Sequence, residues 1–337
     1  MNKIKTSVVI LNWNGVELLR RFLPSVVAHT PTDVAEVVVA DNGSTDESLH
    51  VLRSEFPTVR IIAMPTNEGF AGGYNRALRE VEAEYAVLLN SDVEVTAGWL
   101  EPLVAYAEAN PDVAALQPKI RAYRRPELFE HAGAAGGFID KLGYPFCRGR
   151  IFASVEKGEG QYDSIVDIFW ATGACMFVRM VDYRLAGGLD ERFFAHMEEI
   201  DLCWRLHRLG RRVACVPEST VFHLGGATLD ADNPRKAYLN FRNNLLMLYK
   251  NLPPERRAGM LFRRKLLDGV AALNFLLHGN LAGIRAIARA HRDASRMIRE
   301  YYADAPLRED MTYAFPCFER SIVWEYYAKG KRRYSEL

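Results

Sequence analysis

Four short apolar runs, each followed by a helical pattern, constrain this chain more than any other feature. Ser7–Leu11 reads SVVIL, Val37–Ala40 reads VVVA, Val59–Met64 reads VRIIAM and Tyr85–Leu89 reads YAVLL. Between them, Val16–Ala28 places Leu18, Leu19, Phe22 and Leu23 at helical spacing. Ser44–Phe56 opens with Ser44 or Thr45 as a cap and Asp46 and Glu47 in its first turn, and Gly72–Val81 forms a third helix. Strands this apolar are buried on both faces, and their alternation with helices predicts an α/β fold: a mostly parallel, Rossmann-like sheet with helices on both sides. Ligands of such sheets bind at the carboxyl ends of the strands.

Composition narrows the partners. The 337 residues carry 43 Lys and Arg against 42 Asp and Glu. A general nucleic-acid binder would carry a basic excess, so none is expected. Cys147, Cys175, Cys203, Cys215 and Cys317 contain no C-x-x-C pair and are odd in number, which fits a reducing compartment better than a disulfide or zinc framework. The lead MNKIKT is too short for a signal peptide. A cytoplasmic protein is expected.

Each strand end carries polar residues that a core does not require: Asn12-Trp13-Asn14-Gly15, then Asp41-Asn42-Gly43-Ser44, then Asn67-Glu68-Gly69 and Asn90-Ser91-Asp92. One such end is a turn. Four at successive strand ends share one edge of the sheet. Gly69–Asn75 is glycine-rich and enters a helix, a geometry that lets backbone N–H groups approach a diphosphate. Asn90-Ser91-Asp92 reads either as a turn or as a D-x-D metal site with its first carboxylate replaced by an amide. Glu198, Glu199 and Asp201 crowd the start of the helix Glu198–Leu209, behind Phe193-Phe194. One acid there suits the helix dipole. Three repel one another and raise a pKa toward that of a useful base. His223 ends the strand-like Cys215–Phe222 and reads either as structural or as a ligand.

Taken in order, VVILNWNG, VVVADNGSTDES, NEGFAGGYNRAL, VLLNSDVEV, FWATGACMFVR, GGLDERFF, the EEID helix start and His223 resemble the family 2 glycosyltransferases of the GT-A fold, in particular their bacterial rhamnosyltransferase-like branch. The resemblance covers about residues 6–251. It implies a GT-A catalytic domain over 1–233, with a nucleotide-sugar half to about 118 and an acceptor half over 119–233. The implied activity is inverting transfer of a sugar, dTDP-rhamnose being the family-level donor, to a cell-surface polysaccharide or lipid-linked glycan precursor. By this resemblance Asn12, Asn14 and Asp41 hold the base and ribose, and Asn67 with a Gly72-Gly73 turn lines the same pocket beside Asn90. Asp92 and His223 would hold Mg²⁺ or Mn²⁺, and Trp170, Thr172 and Gly173 would face the acceptor. Glu199 stands where the family has its catalytic Asp, which leaves Glu198 or Asp201 open to share the role. A sugar nucleotidyltransferase would need Arg and Lys directly after the first strand, where this chain has NWNG. A degenerate glycan-binding relative would have lost the set of Asp92, Glu199 and His223.

After Pro234 the chain turns helical and basic, so 234–337 reads as a helical C-terminal extension. Residues 256–299 hold ten Arg or Lys and two acids around an uncharged stretch, Gly269–Ile284. That stretch is too short to span a bilayer. It suits amphipathic helices on an anionic membrane surface, peripheral to the inner face of the cytoplasmic membrane. The other reading is a helical extension packed on the catalytic domain or on a second subunit in a homo-oligomer.

Overall fold

In a computed structural model, which describes residues 4–225, 234–302 and 317–337, the four apolar runs lie side by side as parallel strands. They are β1 (Thr6–Asn12), β2 (Ala35–Asp41), β3 (Arg60–Ala63) and β4 (Tyr85–Asn90), interleaved with α1 (Val16–His29), α2 (Ser48–Glu55) and α3 (Gly69–Arg79). Asn12 pairs with Asp41, Asp41 with Ala63, and Leu11 with Asn90, so the polar ends do share one edge. Alternate residues of β1 enter different cores. Val8 and Ile10 pack with Leu19 and Leu23 of α1, while Val9 packs with Tyr74 and Ala77 of α3.

Beyond β4 come β5 (Val93–Val95), α4 (Glu101–Ala109) and β6 (Val113–Ala122). The weakly periodic middle, expected as loops or a small hairpin, supplies β7 (Arg125–Phe129), which pairs with β6, and a separate four-stranded sheet. That sheet is β8 (Gly137–Ile139), β9 (Pro145–Cys147), β10 (Arg150–Ile151) and β11 (Ser154–Val155). Strands of two or three residues are too short to display a period in sequence. Ile322 and Tyr326, near the chain's end, pack against Phe146 and Ile151 of this sheet.

The main sheet is completed by β12 (Val166–Asp167), β13 (Cys175–Arg179) and β14 (Arg212–His223), with α5 (Met180–Leu185) and α6 (Glu198–Arg208) between the last two. The order is β12-β14-β6-β13-β4-β1-β2-β3, with β5 on β14. β13 runs antiparallel to both β4 and β6, so the sheet is mixed at this position. Of the apolar run Phe169–Val178, only the part from Cys175 is strand. The helical extension follows as α7 (Pro234–Asn251), α8 (Pro254–Leu277) and α9 (Leu281–Met297). Leu245, Leu246, Met247 and Leu248 of α7 are buried in the same core as α3 and α6, so this helix packs as part of the sheet domain. Among the described residues, no helix is long and apolar enough to cross a membrane.

Candidate active site

The ends of β1 and β2 are tied together by their own polar side chains. Asn12 donates to an Asp41 carboxylate oxygen at 3.0 Å, and the other Asp41 oxygen accepts from the Ser44 amide at 3.0 Å. Asn14, at φ 49°, accepts from the Thr45 amide at 2.7 Å. The second expected helix therefore begins late, at Ser48. Asp46 accepts from the Ser48 and Val16 amides, which holds the preceding residues as a turn. Asn12 and Asp41 are fully buried, whereas Asn14 and Trp13 are exposed at this edge. The buried pair fixes the loop and leaves the exposed pair open to solvent at this edge. Trp13 and Asn42 belong to the polar strand ends, but the sequence alone assigns neither of them an individual role. Asn42 donates to Asn67 and to the Gly69 carbonyl and accepts from the Glu68 amide, locking the third strand end to the second.

The glycine-rich loop differs from its expected form. α3 starts at Gly69, so Gly72 and Gly73 lie inside a helix and form no turn. A methyl group on Gly73 would stand 2.7 Å from Leu11, so this glycine lets α3 press onto β1. The first N–H groups of α3 are already used. Gly69 donates to Asn67, while Phe70 and Ala71 donate to the Phe194 carbonyl. These three donors are closed to a diphosphate.

β5 pairs antiparallel with the end of β14, which sets His223 opposite Val93 and next to Asp92. His223 Nε2 lies 3.1 Å from Asp92 Oδ1, and Nδ1 lies 3.3 Å from Glu130 Oε2. Asn90 approaches the same Nε2 at 3.4 Å. Burial works against a charged imidazole, but the two carboxylates outweigh it and push His223 up to about 10. Glu130 is also buried, yet His223 keeps its carboxyl below the ordinary range. Glu130, absent from the sequence reading, stands behind the ring at ion-pair distance, although Nδ1 makes no hydrogen bond of good geometry to it. A hard carboxylate and an imidazole side by side fit Mg²⁺ or Mn²⁺. Among the described residues no group of three or more His, Cys, Asp or Glu could hold an ion, so two protein donors would have to be supplemented by phosphate oxygens and water.

Among the described residues, the loop leading into the acidic start of α6 gathers three strained residues. Phe194, His196 and Met197 have φ of 67°, 69° and 73°, a left-handed backbone that costs roughly 1–3 kcal/mol for each residue. This loop is held from both sides. Phe194 lies against Gly69 of α3, and Asn243 of α7 donates to the carbonyls of Phe193, Ala195 and His196 at 3.0, 2.8 and 2.7 Å. Arg242 donates to the Arg192 and Phe193 carbonyls. Arg242-Asn243-Asn244 is a polar run buried within α7, and such buried polar residues demand partners.

Just after this loop, Glu198 and Glu199 each present a buried carboxylate oxygen with no partner. Burial raises Glu199 to about 7 against the pull of the backbone amides, and burial with help from the Glu199 charge raises Glu198 well above the ordinary carboxylate range. Asp201 differs. Its carboxylate is ion-paired to Arg205 and Lys250, both at 2.8 Å, and accepts from Asn251 at 2.7 Å. Burial opposes its charge, but Arg205 and Lys250 prevail and lower its pKa. A carboxylate so occupied anchors α6 to α7 and is not free to take a proton. Asp201→Asn leaves the partly buried Arg205 underpaired and takes one of two carboxylates from Lys250, and a loss of about 3 kcal/mol is expected in denaturant unfolding.

The residues expected to face the acceptor lie inside. Trp170 is buried and its indole N–H donates to the Phe138 carbonyl. Thr172 is buried, with its amide bonded to Gln117 and its hydroxyl accepting from Ala174. Gly173 packs beneath Phe70. An open acceptor surface cannot be built from these three side chains. Their segment instead braces the site, because the Asn90 amide bonds to Ala174 and the Ala171 amide to Cys203 of α6. The segment thus links the strand that leads to Asp92 with the helix that carries Glu199.

Residues 7–153 match the family model described as glycosyl transferase family 2. The chain is 29% identical over 236 residues to the N-acetylglucosaminyl-diphospho-decaprenol L-rhamnosyltransferase of Mycobacterium tuberculosis, covering 64% of this chain and 75% of that protein. It is 28% identical to the O-antigen biosynthesis protein RfbC of Myxococcus xanthus, covering 68% of this chain but 18% of that longer protein. In fold it is similar to GalNAc-T7, solved with UDP, GalNAc and Mn²⁺, at a TM-score of 0.61 and 16% identity, over 89% of this chain and 58% of that one. It is also similar to the mannosyltransferase PcManGT of Pyrobaculum calidifontis, solved with GDP-Man and Mn²⁺, at a TM-score of 0.51 and 17% identity, over 90% and 76% of the two chains. Over residues 7–153, somewhat less than half of its length, the chain is thus similar to glycosyl transferase family 2, its relatives include a rhamnosyltransferase, and its fold is the GT-A fold of these solved glycosyltransferases.

Proposed function

We propose that this chain is an inverting glycosyltransferase. It would move a sugar, with dTDP-rhamnose as the leading donor, onto a lipid-linked glycan precursor or cell-surface polysaccharide at the inner face of the cytoplasmic membrane. The observation that carries the reading is the Glu198–Glu199 pair, one buried and one half-buried side chain, each with a buried unpartnered carboxylate oxygen, held behind a strained loop. The relative named as a decaprenol-linked rhamnosyltransferase supports the sugar and the acceptor class. Glu199 takes the proton of the acceptor hydroxyl as that oxygen attacks the anomeric carbon. In-line attack opposite the departing diphosphate inverts that carbon and needs one base. Asn14 and the exposed Trp13 receive the nucleotide at an edge that Asn12, Asp41 and Asn42 keep rigid. Asp92 and His223 would hold Mg²⁺ or Mn²⁺, which when bound offsets charge on the leaving diphosphate, and Glu130 stands behind the His223 ring.

Two measurements test this reading. Release of nucleoside diphosphate across a panel of sugar donors, with Mn²⁺ and a polyprenol-diphosphate acceptor, should single out one donor, and release from none would overturn it. A ligand that binds only the folded protein raises its apparent stability. The donor should therefore raise the melting temperature further when Mn²⁺ is added. Asp92→Ala should lose that Mn²⁺-dependent increment, and keeping it would remove Asp92 from the metal site.

A further inference from the structure

The outer side of α8 is apolar where a surface helix is normally polar. Phe262, Leu266, Val270, Leu273 and Leu277 recur every three or four residues on one face, and each is more than half exposed. Leu276 and Leu281 extend this face around the turn into α9. The inward side is the polar one. Arg264 and Asp268 are buried there, with Arg264 over the Tyr144 ring and Asp268 bonded to His291. A continuous exposed apolar strip of this kind marks a surface that meets something.

Charge decides what it meets. Residues 269–284 hold no Asp, Glu, Lys or Arg. On either side stand Arg263, Lys265 and Arg285, all exposed, and further along α9 Arg289, Arg292 and Arg296. The two acids between residues 256 and 299, Asp268 and Asp293, are both buried. Within residues 256–299 the rim of the strip is therefore basic, with no exposed acid between its charges. Two copies of the chain meeting through this face would bring like charges together around an apolar contact. A bilayer with anionic headgroups takes both parts at once, because acyl chains receive the leucines and headgroups receive the rim.

We infer that the outer face of α8, with the turn into α9, is a docking surface for an anionic membrane. It would lie flat in the interface with its side chains about 5–10 Å deep. This inference rests on the proposed reading of the acceptor as membrane-held, since it brings the site to the surface where such an acceptor lives.

The test is co-sedimentation of the full chain, without donor, with vesicles of phosphatidylethanolamine and phosphatidylglycerol or of phosphatidylcholine alone. The wild type should pellet with the anionic vesicles at low salt and less so at high salt. Leu273→Glu with Leu277→Glu should cut that partition by about tenfold or more, since burying one leucine is worth about that factor. Both positions are exposed, and an unchanged melting temperature for the double variant verifies its fold. A wild type that stays in the supernatant, or a double variant that pellets like the wild type, overturns the inference. So does concentration-dependent self-association that the double variant abolishes without any vesicle binding, which would give the face to a second copy. Thermal stabilisation by the donor, measured on the same two proteins, reports the sugar-transfer reading separately. Its absence from both would sink that reading and leave the sedimentation result to stand or fall alone.

Discussion

Glu199→Gln is expected to lower kcat by about 10²–10⁴-fold, the usual worth of general-base assistance, with donor binding unchanged. The amide keeps the shape of the side chain and removes its basicity. The same substitution should raise the melting temperature at pH 8. Glu199 has its folded-state pKa raised to about 7 by burial, so ionising it costs the folded protein more than the unfolded chain. The stability linked to its proton is fully present below the ordinary carboxylate pKa and is lost as pH rises through about 7. Glutamine cannot ionise, so the variant should gain on the wild type at pH 8 and show little advantage at pH 4. In the wild type, kcat/KM should rise with pH through the same range, because the free enzyme's base must be unprotonated. Near-normal turnover in Glu199→Gln together with a collapse in Glu198→Gln would move the base to Glu198. A product that retains the donor's anomeric configuration would end the mechanism.

Asn243→Asp should cost about 10²-fold in kcat, the scale of a loss when a catalytic group shifts by about an ångström. The side-chain amide of Asn243 donates to three carbonyls of the loop that leads into Glu198 and Glu199, and a carboxylate of the same shape would repel all three. The left-handed conformations of Phe194, His196 and Met197 would then lose part of what opposes their strain. Because Asn243 sits on α7 and bonds backbone rather than any strand-end residue, the KM for the donor should hold while kcat falls. A variant whose KM rises with kcat unchanged would assign Asn243 to ligand binding. One that is destabilised but turns over normally would make it a packing residue only.

These two residues mark the boundary between what was legible in sequence and what was not. The parallel strands and their polar ends were legible because a doubly buried strand must be apolar along its whole length, and that length exceeds any turn. The crowding of Glu198, Glu199 and Asp201 was legible because three acids in four residues exceed what a helix dipole asks for. Their separate fates were not. Asp201 is one helical turn from Arg205 but 49 positions from Lys250, and that distant cation helps decide that it is an anchor. Glu130 and Asn243 were missed for the same reason, since each acts on a residue far along the chain. Trp170 and Thr172 are placed at the acceptor by the family resemblance, and only packing shows that their polar atoms are spent on backbone and on Gln117. On α8 the sequence determined an uncharged stretch within a basic helix pair, while the packing of Arg264 and Asp268 decided which face was left outward. Local pattern sets which elements form, because periodicity and turn chemistry act between near neighbours. Which carboxylate is paired and which is left with an empty oxygen depends on charges that only the fold brings within reach.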